Sequence, residues 1–528
     1  MTGKSDSEAI FVRPWGGVAG AAIIVAVGFL GSRLLGVVRT MSIADAFGTT
    51  PDLDAYWVAF RLPDLIFQVL AGAAMGSAFI PTFARYVAQK DKEEAWRLAS
   101  SVLNLVAVLT GVLAVAAVIL APWLVPLMAP GLEEGLQDKA VELTRIMLVS
   151  PVLFAISGMF TGILNARQHF FLAALAPMFY NLSIIFGAVF LSGPWGVQGL
   201  AAGVVLGSGL HLLVQVPGLL GVGMRYHLEA HWRHPGVREV GRLMLPRMAG
   251  LAAAQVNFVV AIFFASRLEE GSISALNYAW MLAIMPLALF GVAIATAVFP
   301  TMAQQVATDS LDRMQRTLYT SLRYILFLII PASVGLILLR DPLVSLLLER
   351  GEFDPRSASI TSSALLFYSF GLFAHSGVEI LSRGFYALRD TRTPVALAVL
   401  SMVLNLLFSI ALVGPMEHDG LALAMSLATI VEASLLFIVL RGRLAGPGAG
   451  LASFLLRTIA ATALMAAVVS VFIAVEEAAD PLGSHTVWEA LVQVTAGGAL
   501  GGGSFFLAAL VLRCEEARAL WRRLGLVR

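Results

Sequence analysis

Two arginines six residues apart, Arg33 and Arg39, stand in "GFLGSRLLGVVRT" (28–40), near the end of an apolar run that begins at Trp15. A guanidinium offers a planar fork of donors that matches phosphate oxygens. Such a pair at a membrane rim can hold a phosphate brought into the bilayer, or it can anchor a helix in the headgroups by snorkelling. A charge placed within hydrocarbon costs about 2.5–3.5 kcal/mol on insertion scales, so each one needs a reason. Arg33 lies about five residues, roughly 7 Å, inside the expected helix end. On position alone it is open to both readings, and Arg39, at the very rim, reads as an anchor.

Other polar side chains sit at helical spacing inside apolar stretches. Arg61, Asp64 and Gln68 follow i, i+3, i+7 and line one stripe, either as a self-satisfied pair facing a bundle interior or as the wall of a hydrophilic cavity. Pro63 between them suggests a kink. His375, Glu379 and Arg383 repeat at i, i+4, i+8. A proton-coupling or gating site is the sharp reading, with the histidine responding to pH; an internal Glu–Arg salt bridge near a helix end is the preferred one. Glu432 is isolated, and Asn405, Gln255 and Asn257 could offer oxygens to a cation such as sodium without the acids such a site needs. Asn181 and Asn405 read as interhelical hydrogen-bonding residues. The single Cys514 makes no intramolecular disulfide, and no Cys/His cluster or Walker lysine is present. We therefore expect no cofactor, no metal, no direct use of ATP and, without a catalytic constellation, no enzyme.

The elements that position these residues follow from composition. Of 528 residues 59% are hydrophobic and only 13% charged, and the mean hydropathy is +0.85. A soluble chain carries about 25% charged residues, so this one is an all-α polytopic membrane protein. The net charge of +1 gives no reason to expect a nucleic-acid partner. Apolar windows of about 20 residues recur near 15–38, 56–79, 98–128, 143–165, 172–192, 196–222, 243–266, 276–300, 322–348, 361–387, 394–413, 419–440, 453–475 and 487–512, which predicts about 14 transmembrane helices. Alternate loops are acidic (Glu133, Glu134, Asp138; Glu417, Asp419; Glu476, Glu477, Asp480) and basic (Arg85, Lys90, Lys92, Arg97; Arg313, Arg316, Arg323; Arg441, Arg443). The positive-inside rule then predicts both termini in the cytoplasm. The loop near Arg340–Arg356 departs from the pattern.

An internal repeat runs through the chain. "AFIPTFARYVAQ" (78–89) matches "AVFPTMAQQVAT" (297–308), and "APWLVPL" (121–127) matches "RDPLVSL" (340–346). "NARQ" ending at Gln168 lines up with "ALRD" ending at Asp390, "NLSIIFG" (181–187) with "NLLFSIA" (405–411), and "GLAAGVV" (199–205) with "GLALAMS" (420–426). The offsets imply two parallel copies of a six-helix unit, an arrangement that recurs in transporters. We expect an N-terminal six-helix lobe over 1–224, a basic amphipathic linker on the cytoplasmic surface over 225–247, a second six-helix lobe over 248–443, and two additional helices with a basic tail over 444–528.

The same residues carry a family resemblance. "GSRLLGVVR", "DAYWVAFRLPDLI", "SAFIPTFARY", "GILNARQHFFLAALAPMFYNL" and "SRGFYALRDTRTPV" resemble the MurJ/MviN flippases of the multidrug/oligosaccharidyl-lipid/polysaccharide (MOP) exporter superfamily. The resemblance runs through the first twelve helices. It implies a V-shaped pair of lobes around a cationic cavity and alternating-access movement of lipid II, the lipid-linked peptidoglycan precursor, from the cytoplasmic to the outer leaflet of a bacterial inner membrane. It further implies partners in membrane lipids and cell-wall synthesis proteins. Arg33 and Arg39 match two of the family's cavity arginines and Asp54 an acidic position, so the expected cavity set is Arg33, Arg39, Asp54, Arg61, Asp64 and Gln68, with His375, Glu379, Arg383 and Asn405 as coupling or gating residues. Where the family carries further charges, this chain has Thr40 after the second arginine, Phe67, Gln68 and Gly72 in helix two, and Trp280, Met281 and Ile284 in helix eight. The alternatives are a flippase for another polyprenyl-pyrophosphate-linked saccharide and a transport-inactive scaffold in envelope assembly.

Overall fold

In hydrocarbon every peptide N–H and C=O must be satisfied within the protein, and a continuous apolar run achieves this as a helix. The computed structural model of the chain describes residues 18–72, 79–89, 92–444, 450–479 and 487–523, and among these it is helical with no strand. The order is α1 (Val18–Phe47), α2 (Pro51–Ile66), α3 (Ile80–Ala88), α4 (Lys92–Met128), α5 (Glu134–Ala166), α6 (Phe170–Trp195), α7 (Val197–Leu213), α8 (Val216–Gly221), α9 (Pro235–Ala265), α10 (Ser272–Ala307), α11 (Leu311–Leu338), α12 (Arg340–Leu348), α13 (Pro355–Ala387), α14 (Arg392–Arg443), α15 (Leu451–Ala479), α16 (Val487–Val511) and α17 (Glu515–Arg523).

Eleven described helices are long and apolar enough to cross a membrane. The 52-residue α14 holds two of the fourteen expected spans, 394–413 and 419–440, and bends between them at Glu417. Span 243–266 lies on the 31-residue α9, which includes the apolar stretch Gln255–Ala265. Span 56–79 begins on α2, but its segment 73–78 lies outside the described residues, as do Lys90 and Asp480. A lipid-facing surface is plain on α4, where Val108, Val112, Val115, Ile119 and Trp123 recur on one helical face and all are exposed.

The chain forms two compact units, Met1–Ala46 with Ala55–Leu127 and Glu133–Ala252, and Phe47–Asp54 with Met128–Leu132 and Ala253–Arg528. In the first, Phe79 and Phe83 of α3 stack and pack with Trp96 of α4 and Met159 and Ile163 of α5. In the second, Phe327 and Ile325 of α11 pack with Ile380 and Phe385 of α13, Phe454 and Met465 of α15 and Phe505 of α16. The two helices outside the duplication are thus built into the second core.

Backbone geometry gives the repeat a sharper register than the residues do. α5 and α13 each end in a Schellman motif: His169 N–H donates to Leu164 O with Gln168 at φ +60°, and Asp390 N–H donates to Phe385 O with Arg389 at φ +60°. Gln168 therefore corresponds to Arg389, one residue before the pairing with Asp390 that the letters suggest. Further on, Gly196 (φ +55°, ψ −138°) corresponds to Glu417 (φ +51°, ψ −130°). Three residues later Gly199 and Gly420 lie against the carbonyl oxygens of Leu191 and Leu412, where an added Cβ would come within 2.4 Å in both copies. This frame sets Asn181 opposite Met402, one helical turn from Asn405. Helix two of each copy widens into a π turn, Phe67–Ala71 in one and Leu287–Val292 in the other. π turns are rare and concentrate at functional positions.

One cap comes from a distant part of the sequence. Gly271, at φ +88°, precedes α10, and no local side chain caps that helix. The Asp54 carboxylate accepts from the backbone N–H groups of Gly271 and Ser274, both at 2.8 Å, and from the Ser274 hydroxyl. A buried carboxylate at a helix N-terminus is stabilised by the helix dipole as well as by its donors. Beside it the Tyr278 hydroxyl donates to Gly48 O at 3.1 Å, and the Thr49 and Ser357 hydroxyls bond at 2.7 Å.

Two substitutions test these devices. Glu417→Gly removes a strained conformation costing about 1–3 kcal/mol and restores the freedom of an unfolded glycine, a net gain of about 1 kcal/mol; thermal denaturation of the purified protein should show a higher midpoint, and an unchanged or lower one contradicts the strain. Asp54→Ala orphans two buried N–H groups at about 1–3 kcal/mol each, so its midpoint should fall, and more than that of Asp52→Ala.

Candidate functional site: polar residues on the membrane helices

α1 presents the arginines on a helix whose small residues bring it close to α6. A Cβ on Gly28 would lie 2.6 Å from the Ala174 Cβ, and Asn181 Nδ2 donates to Ser32 O at 3.1 Å. With that face fixed, Arg33 is exposed and its guanidinium lies 5.0 Å from the centroid of the Phe29 ring, one turn earlier. Arg39 is half-buried, within electrostatic reach of the Tyr56 and Tyr180 side chains. Both tyrosines are on the first unit's own helices, α2 and α6.

The stripe on α2 forms as its spacing implies. Arg61 Nη1 meets Asp64 Oδ2 at 3.2 Å, and Gln68 Nε2 reaches Asp64 Oδ1 at 3.5 Å. The pair is mostly enclosed, with side chains 11% and 19% exposed, so Asp64 neutralises Arg61 inside the first unit. Asp64 also lies within electrostatic reach of Tyr180, so the Arg61–Asp64 pair and Arg39 share that tyrosine as a neighbour. Asp54 is engaged elsewhere, as the cap on α10, and all three of its hydrogen bonds are to the protein.

Phe67, at a position where the resemblance leads one to look for a basic residue, is 4.9 Å from Phe154, centroid to centroid. Phe154 in turn meets Tyr180 at 5.0 Å and His211 at 5.3 Å, both edge to face. Phe67 thus belongs to an aromatic cluster with Phe154, Tyr180 and His211. His211 Nδ1 bonds the Ser157 hydroxyl, Gln215 Nε2 donates to the same hydroxyl at 2.7 Å, and Thr161 donates to Gln215 Oε1 at 2.9 Å.

In the second unit, Glu379 and Arg383 pair on α13, and Arg383 Nη2 also donates to Thr296 Oγ1 at 3.1 Å. His375 stands apart from that pair: its ring is 5.2 Å from Trp280, and Nε2 is 3.4 Å from the Thr429 hydroxyl. Asn405 Nδ2 donates to Asn257 Oδ1 at 3.2 Å. Each unit therefore contains a histidine bonded to a hydroxyl 54 residues away, linking α5 with α7 and α13 with α14. His211, Tyr56 and Tyr180 are not singled out by the sequence; Tyr56 and Tyr180 lie within quoted motifs, and nothing marks His211. At the exit of α13, Asp390 accepts from the backbone N–H groups of Arg392 and Thr393 and pairs with Arg443. Its hydrogen bonds with Thr393 above all, and then the Arg443 contact, hold its carboxyl well below the usual carboxylate range.

A family description, lipid II flippase MurJ, matches residues 43–485. The chain is 33% identical over 433 residues to a probable lipid II flippase MurJ of Vibrio cholerae, covering 79% of this chain and 82% of that protein. It is 32% identical to the lipid II flippase MurJ of Burkholderia cenocepacia, covering 84% and 88%. Among solved structures, a lipid II flippase MurJ in an inward closed conformation superposes with a TM-score of 0.78 at 25% identity, over 95% of this chain and 99% of that one. An inward-facing MATE multidrug transporter of the MOP superfamily superposes with a TM-score of 0.65 at 18% identity over 80% and 98%, which shows a common fold. With the family description spanning most of its length and relatives above 30% identity over most of theirs, this chain belongs to the MurJ family of lipid II flippases.

Proposed function

We propose that the protein moves lipid II from the cytoplasmic to the outer leaflet of a bacterial inner membrane by alternating access, with both termini in the cytoplasm. The observation that carries this reading is the family match over 43–485, which includes the second helix, the π turn of helix two in each copy and the two Schellman exits. A pyrophosphate cannot cross hydrocarbon without compensating charge, because an unpaired ion there is strongly disfavoured. Arg33 and Arg39 are the groups assigned to it. Arg33 is exposed on α1, and Arg39 has tyrosine hydroxyls as neighbours. Arg61 is already neutralised by Asp64 and serves as cavity wall together with Gln68. Glu379 with Arg383, His375 and Asn405 are assigned to coupling or gating in the lobe 248–443, Asp54 to the substrate path when α10 releases it.

A second reading, movement of another polyprenyl-pyrophosphate-linked saccharide, is supported by one observation: Phe67 packs into an aromatic cluster at a position where the resemblance implies a basic residue. The pyrophosphate chemistry is the same in both, and the glycan differs.

Complementation in a bacterium depleted of its own MurJ tests the proposal. The wild-type chain should restore growth. Arg33→Ala/Arg39→Ala, inserted at wild-type level, should lower lipid II translocation by at least tenfold, since each charge-assisted hydrogen bond lost is worth about 1.5–3 kcal/mol. Growth with the double variant would remove these arginines from the site. Failure of the wild type, with binding of a different polyprenyl-pyrophosphate glycan by native mass spectrometry, would favour the second reading.

A further inference from the structure

The segment between α8 and α9, residues 222–234, crosses from one membrane helix to the next without helical structure. It is nonetheless held tightly. Asn104 Nδ2 on α4 donates to the carbonyls of His227 (3.1 Å) and Glu229 (2.8 Å), and its Oδ1 accepts from the Tyr226 hydroxyl at 2.8 Å. The His227 N–H donates to Ser100 Oγ at 3.1 Å. His234 bonds Glu94 through Nε2 at 2.8 Å and accepts the Gly236 N–H through Nδ1 at 3.0 Å, which caps the start of α9.

Tight turns within this strap, Glu229 N–H to His227 O and Trp232 N–H to Ala230 O, both at 2.8 Å, set which side chains face outward. His227 and Glu229 are partly covered, whereas Leu228 is 88% exposed and Trp232 58% exposed. Arg233 lies over the Trp232 indole at 4.7 Å, and Arg225 is 74% exposed. Among the described residues Glu93 is shared by Arg97, His227 and Arg225, Glu94 bonds His234, and Glu229 meets His231. The exposed side presents Leu228, Trp232 and the guanidiniums of Arg225 and Arg233.

Its depth can be read from α4. The exposed apolar stripe on that helix begins at Val108, one turn after Asn104. About 20 residues span the hydrocarbon core, and that many counted back from Met128 end at about the same point. The strap therefore lies at headgroup level, where tryptophan and arginine are favoured and a leucine can reach the acyl boundary.

We propose that residues 225–234 form a lipid-recognising strap, with Leu228 and Trp232 entering the interface and Arg225 and Arg233 holding the phosphates of anionic phospholipids. The occupant is a phospholipid because the exposed set joins a depth, an apolar tip and two exposed guanidiniums, Arg225 beside a Glu93 carboxylate that it shares with Arg97 and His227, and Arg233 on the Trp232 indole. The strap belongs wholly to the first unit, and the inference needs neither the direction of insertion nor the transported substrate.

The test uses the full chain with Leu228→Cys, labelled with a polarity-sensitive maleimide. Cys514 is 2% exposed, so wild-type protein supplies the labelling background. The labelled protein is placed in vesicles of phosphatidylcholine alone, or with phosphatidylglycerol in equal share in both leaflets, so that orientation does not matter. In the anionic vesicles we expect blue-shifted emission and severalfold stronger quenching by headgroup-labelled lipid, both reduced by high salt. Arg225→Gln/Arg233→Gln should lower the anionic preference by about tenfold, and it leaves the bonds to Asn104 and Ser100 in place. Water-like emission in both vesicles overturns the proposal, as does equal shielding in both, which would mean that protein or a neutral interface covers the strap. Loss of flippase activity in another assay leaves this result standing, and the reverse also holds.

Discussion

A peptide group left without a partner in hydrocarbon costs several kcal/mol, and the architecture follows from avoiding that cost. Apolar runs become helices, and each departure from the helix comes with its own backbone solution. The exits of α5 and α13 close their last carbonyls with Schellman bonds, even though the left-handed position falls on Gln168 and Arg389 rather than on glycine. The turns at Gly196 and Glu417 let the next helix approach so closely that Gly199 and Gly420 touch carbonyl oxygens. The start of α10 takes its acceptor from Asp54, more than two hundred residues earlier in the chain.

The same constraint sorts the polar side chains. Most of those inside apolar stretches are matched to a partner: Arg61 to Asp64, Glu379 to Arg383, Asn405 to Asn257, and His211 and His375 to hydroxyls. The arginines of α1 are stabilised differently. Arg33 rests on an aromatic face, and Arg39 lies within electrostatic reach of two tyrosines; among the described residues neither makes an ion pair of the kind that joins Arg61 to Asp64. An aromatic face and a phenol stabilise a cation while leaving its field available to an anion, as an ion pair does not.

Duplication shows what the fold keeps and what it lets drift. Turn geometry and cap geometry agree between the copies to the residue, and each copy has a π turn in helix two, while the side chains on them differ. Gly196 corresponds to Glu417, and the histidine–hydroxyl link has its histidine on α7 in one copy and on α13 in the other. Backbone geometry is constrained by the helix crossings, whereas a buried hydrogen bond needs only two compatible groups in reach.

Composition and periodicity alone determined that the chain is a helical membrane protein with a duplicated core, because apolar length and repeated motifs are local properties. The i, i+3 and i, i+4 pairs Arg61–Asp64 and Glu379–Arg383 were legible for the same reason, since helix geometry brings such residues together wherever the helix packs. Tertiary structure decided the rest. Asp54 became a cap for α10, His375 left its own stripe for Thr429 and Trp280, and His211 acquired Ser157, each through a residue far away in sequence. The register of the repeat also shifted by one residue at Gln168 and by one turn at Asn181, because letters align by likeness and helices by their ends. The outward face of the 225–234 strap likewise depends on Asn104, a contact more than one hundred residues distant that no local pattern encodes.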